Sequence, residues 1–135
     1  MAIERHTLAW MQRVAAAAIL LYWIVFWFDQ AQIPMVVQDY ELNFILPDIL
    51  WIVALLLVAS RGLIAGEPRA FALSAAAGGA LVFLGLLDVV FNARHGQYTA
   101  SAVQGFVNAA VNVGCILFGL WNIYAASPTR PTSQR

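Results

Sequence analysis

Apolar residues fall into four long segments separated by short polar stretches. The first runs from about Leu8 to Phe28 and is unbroken from Val14 to Phe28. The second runs from about Pro47 to Ala65, with Ser60 and Arg61 near its far end. The third covers about Pro68 to Asn92, and the fourth about Val103 to Ala126. Each approaches the roughly 20 residues that an α-helix needs to cross the hydrocarbon core of a bilayer. The pattern predicts an all-α protein, a four-transmembrane-helix antiparallel bundle. It is expected to form a single domain over residues 1–126, followed by a disordered tail over 127–135 that opens Ser127-Pro128-Thr129-Arg130-Pro131.

Local chemistry sets the expected boundaries. Pro47 suits the first turn of a helix, where a missing N–H costs nothing, and Asp48 beside it suits the positive end of the helix dipole. Gly66 is expected to stop the second helix as its C′ residue, and Pro68 to open the third almost at once, giving a tight antiparallel hairpin. Gly96 is expected to end the third helix, with a turn over Gln97 to Ser101. The longest connection, Asp29 to Leu46, holds the apolar piece Ile33-Pro34-Met35-Val36-Val37, too short to span and expected at the membrane interface or capping the bundle. The first segment is expected to stay in the protein, because Asp29-Gln30-Ala31-Gln32 makes a poor signal-peptidase site.

Composition narrows the class. Of 135 residues, 62% are hydrophobic and 10% charged, whereas soluble domains carry roughly 25% charge. A soluble enzyme and a disordered chain are therefore not expected. The net charge is zero, so no global field draws the chain to nucleic acid. A single cysteine, Cys115, forms no internal disulfide and argues against dithiol membrane oxidoreductases.

The cations are unevenly placed. With four spans, Arg5, Arg13, Arg61, Arg69, Arg130 and Arg135 share one side, and Arg94 stands alone on the other. The positive-inside rule then puts both termini in the cytoplasm of a bacterial inner membrane. Aromatic residues mark both boundaries, Trp10, Trp121 and Tyr124 inside and Trp23, Trp27, Phe28, Tyr40 and Tyr98 outside. Small residues (Ala75 to Ala80 and Gly85; Gly105, Ala109, Ala110, Gly114 and Gly119) are expected to let helices approach closely. Gly105-x-x-x-Ala109 and Ala110-x-x-x-Gly114 also fit the seam of a homodimer.

Ionisable and amide groups inside membranes are costly and head the list of candidate functional residues. Asp48 and Asp88 each lie about one turn inside the outer end of their helix. Asp88, Asn92 and His95 share one helix face by spacing, and Gln104, Asn108 and Asn112 form a second polar stripe. These residues predict an outward-facing acidic cleft, with Trp51 one turn from Asp48 as an aromatic wall and Tyr22 and Trp23 as further contributors. Acids beside aromatics suit a cationic or amphipathic amine. The competing reading makes Asp48 a first-turn helix acid and Asp88 interhelical glue. No cofactor or metal is expected, because His6 and His95 fall on opposite sides and no ligand spacing recurs.

Two resemblances follow. Leu20-Leu21-Tyr22-Trp23, Asp39-Tyr40, Phe44-x-Leu46-Pro47-Asp48, Gly85-Leu86, Phe91 and Arg94-x-Gly96 resemble the YvaD-like small bacterial membrane proteins. That resemblance implies a four-helix bacterial protein and no particular activity. The acids near helix ends with aromatics nearby are similar, in general pattern, to the EXPERA group of sterol isomerases and sigma-2-type receptors, whose intramembrane acids bind cationic amphiphiles. The histidine and glutamate pattern of the isomerases is absent.

The leading expectation is a non-enzymatic ligand-binding or accessory protein embedded in the lipid bilayer, with a homodimer or a larger membrane complex as its further partner. A small oligomeric proton-coupled transporter and a membrane enzyme acting on a lipid-like substrate are the alternatives.

Overall fold

The computed structural model describes residues 2–127, and among them every regular element is a helix. The expected disordered tail falls almost wholly on 128–135, outside the described residues. Helix α1 spans Ala2–Asp29, α2 Met35–Leu42, α3 Pro47–Ala65, α4 Arg69–Arg94 and α5 Ala102–Ala126. Four helical stretches, Arg5–Gln32, Pro47–Ala65, Arg69–Arg94 and Ala102–Ala126, are long and apolar enough to cross a membrane, which suggests a multi-pass membrane protein. By internal contacts the chain divides into two compact units, Met1–Leu73 and Ser74–Arg135.

In the first unit α1 packs against α3. The buried positions of α1 are Leu8, Ala9, Gln12, Ala16, Trp23 and Phe26. Apart from the adjacent Leu8 and Ala9 they are spaced by three, four or seven, which traces one stripe along the helix. On α3 the buried set is Asp48, Ile52, Val53, Leu56, Ala59, Ser60, Gly62 and Leu63. The first seven residues of α3, Pro47–Val53, are wound as a π-helix before α winding takes over at Ala54. Gly66 ends α3 in the left-handed region at φ 73°. The Glu67 N–H then bonds the Gly62 carbonyl at 2.8 Å, closing a Schellman turn. Gly62 itself has no room for a side chain, since a Cβ there would lie 2.9 Å from the Ala70 Cβ. Glu67 and Arg69 pair at 2.7 Å across this turn.

The connection expected as an interfacial or capping piece folds into a 3-10 turn, Gln30–Gln32, and the short helix α2. Gln38 secures the two together, donating to the carbonyls of Gln30 at 2.8 Å and Ile33 at 2.7 Å.

In the second unit, glycines bring α4 and α5 together backbone to backbone. A Cβ on Gly78 would sit 2.5 Å from the Gly119 carbonyl oxygen, and one on Gly119 would sit 2.6 Å from that of Gly78. Gly85 faces the Asn112 carbonyl and Ile116 in the same way. Gly79 and Gly114 have open space beside them. Gly96 takes φ 65°, and the Gln97 N–H bonds the Asn92 carbonyl at 2.9 Å in a second Schellman turn. Helix α5 opens on Ser101, whose hydroxyl accepts from the Gln104 N–H at 3.1 Å.

Candidate functional site

The first unit buries a carboxylate. Asp48 is 5% exposed and accepts a 3.0 Å hydrogen bond at Oδ2 from the Trp23 indole N–H, a residue 6% exposed on α1. The π winding explains which side chains travel with it. In an α-helix Trp51 shares a face with Asp48. When turns widen to i→i+5 bonding, the companions become residues four and five further on. Ile52 and Val53 are accordingly buried with Asp48, while Trp51 is 62% exposed. The indole at the carboxylate is therefore that of Trp23, and Trp51 faces outward.

Trp23 belongs to an aromatic group on α1. Its ring stands edge-on to Phe26 at 5.3 Å and to Tyr22 at 5.5 Å between centroids. The same indole lines an apolar groove of about 420 Å³ together with Leu20, Ile24, Trp27, Phe28 and Ile49. One side chain thus has its N–H on a buried acid and its ring on an apolar groove. The arrangement suits an amphiphile whose positive end meets Asp48 and whose apolar body lies along the groove.

The remaining expected residues lie in the second unit. Asp88 and Asn92 are half-buried on α4. His95 follows the end of α4, exposed, its ring stacked on Phe91 at 4.3 Å and its Nδ1 3.0 Å from the Phe91 carbonyl oxygen. Gln104 is exposed, and its side-chain amide donates to Gln97 Oε1 at 3.0 Å. Asn108 is half-buried. Asn112 is 2% exposed and donates to the Tyr98 hydroxyl at 2.8 Å. The polar stripe of α5 is thus bonded to the turn before it, through Gln97 and Tyr98. The same turn accounts for Gly105, where a Cβ would collide with the Tyr98 carbonyl.

Among the described residues no group of three or more His, Cys, Asp and Glu side chains is placed to hold a metal ion. Trp23 was expected as a contributor to the aromatic wall beside Asp48, but its direct bond to the carboxylate was not. Its signal is the stripe Ala9, Gln12, Ala16, Trp23, where small and polar residues interrupt an apolar helix at helical spacing. Compared with known proteins, the chain matches no family model, no curated protein and no solved structure.

Proposed function

We propose that this protein is a non-enzymatic ligand-binding protein of a bacterial inner membrane, with both termini cytoplasmic, that takes up a small cationic amphiphile at Asp48 and Trp23. The reading rests on one observation: the indole that bonds the buried carboxylate also walls the apolar groove. A ligand with an ammonium head and an aliphatic body meets both features at once, by charge pairing and by apolar burial beside aromatic rings. The uneven distribution of arginines supports the orientation.

The test is thermal stability of the purified full-length protein in detergent, with n-octylamine and its neutral counterpart n-octanol as probes. A ligand that binds only the folded state raises apparent stability by mass action, by about 2.7 kcal/mol at a hundredfold excess over its dissociation constant. The amine is expected to stabilise the wild type and to lose that effect in Asp48→Asn, with the alcohol inactive in both. Equal effects of amine and alcohol, or an amine effect that survives in Asp48→Asn, would sink the proposal.

A further inference from the structure

A second polar contact in the first unit lies well away from Asp48, near the opposite end of α3. Arg13 Nε donates to Ser60 Oγ at 2.8 Å, and Ser60 is 0% exposed. The guanidinium carbon of Arg13 lies 5.9 Å from the ring centroid of Trp10, which is 63% exposed. Arg13 immediately precedes the unbroken apolar run Val14 to Phe28. Side chains on a helix lean towards its N-terminus, so the guanidinium reaches back to Trp10 and away from that run, as a snorkelling arginine does.

The bond to Ser60 fixes one edge of a planar group. Nη1 and Nη2 carry the other four N–H donors, one from each pointing off the far edge, and among the described residues these have no acceptor. A guanidinium edge matches two oxygens of one phosphate. Arg61 follows Ser60 directly on α3, is exposed and adds a second cation. Arg69, by contrast, is already paired with Glu67.

We infer that Arg13, held by Ser60 and flanked by Trp10, binds the phosphodiester of an anionic phospholipid at the membrane interface. The inference uses the reading that the four long helices span a bilayer, and it is independent of the amphiphile site at Asp48. The depth decides the source of the phosphate. An arginine at the edge of an apolar run, beside an exposed indole of the kind that sits at headgroup level, meets lipid phosphates before free ones. A net-anionic lipid is favoured over a zwitterionic one because its headgroup brings no cation of its own to compete with Arg13 and Arg61.

The probe is phosphatidylglycerol, titrated into the purified full-length protein in neutral detergent, with retained lipid counted by native mass spectrometry. The wild type is expected to retain phosphatidylglycerol in preference to phosphatidylcholine. Arg13→Gln is expected to weaken retention about tenfold, as loss of a charge-assisted hydrogen bond implies. Arg13→Lys keeps the charge without the fork and is expected to weaken it about threefold. If Arg13→Gln fails to fold, Ser60→Ala leaves the arginine in place but unanchored and is expected to weaken retention a few-fold. Unchanged retention in these variants overturns the inference. So does an equal loss in Arg94→Gln, which would mean general surface charge. Full competition by inorganic phosphate overturns it too, because the site would then read a free anion. Flotation with phosphatidylcholine vesicles tests bilayer insertion separately, so failure there is distinguishable from failure at Arg13.

Discussion

The two units hold their helices by different means. In the first, side chains distant in sequence reach across to each other: Trp23 to Asp48 and Arg13 to Ser60. In the second, the backbones themselves come close at Gly78, Gly85 and Gly119. That unit also has local side-chain bonds, Gln104 to Gln97, Asn112 to Tyr98 and Asn122 to the Phe118 carbonyl. In lipid, apolar surface gives helices no reason to associate, so they hold together by close van der Waals packing or by interhelical hydrogen bonds. The close backbone approach is seen in the second unit, and the functional proposals fall on the first, where Trp23 and Arg13 reach polar partners on α3.

The comparison is broken most severely at a glycine. Gly78→Leu drives a side chain into the Gly119 carbonyl and is expected to cost about 3 kcal/mol, the upper range for overpacking. Gly79→Ala, one residue along with open space beside it, is expected to be neutral or to stabilise by up to about 1 kcal/mol through helix propensity. Unfolding in mixed micelles of increasing SDS checks both, and equal losses would remove the distinction between backbone approach and mere small-residue composition. Trp23→Phe keeps much of the aromatic bulk and removes the donor to Asp48. It is expected to cost about 1 kcal/mol, typical of a hydrogen bond that spans helices. Tyr98→Phe removes only the acceptor of Asn112 and is expected to cost about 0.6 kcal/mol, at the low end for a hydrogen bond. A Tyr98→Phe loss larger than that of Trp23→Phe would invert the contrast between long-range and local polar bonding.

Much of the fold was legible in the residues. Long apolar runs bounded by Pro, Gly and charge mark the four long helices to within a few residues at most ends, although α1 starts earlier, at Ala2. Gly66 and Gly96 adopt the left-handed turns expected of them. The helix α2 was not legible, because Ile33 to Val37 reads only as a short apolar piece and the bonds of Gln38 that secure it are tertiary in kind. Nor was the π winding of Pro47–Val53, since hydrophobic periodicity fades where nearly every residue is apolar. That one change of winding moved Trp51 off the face of Asp48, so of the aromatic residues expected there Trp23 reaches the acid and Trp51 does not. The partner came from α1, and no local spacing rule reports on a residue 25 positions away.

The turn between α3 and α4 carries a consequence for how the chain acquires its direction in a membrane. Three residues, Gly66 to Pro68, separate Ala65 from Arg69, and Gly62 approaches Ala70 too closely for any side chain between them. So short a link cannot be stretched across a bilayer, so if α3 and α4 both span one, the two ends of the link stay on one face. Orientation would then be one decision made for two helices. On that premise Arg61 and Arg69, on either side of the link, would carry one shared orientation signal, with Arg69 the weaker half because it is paired with Glu67.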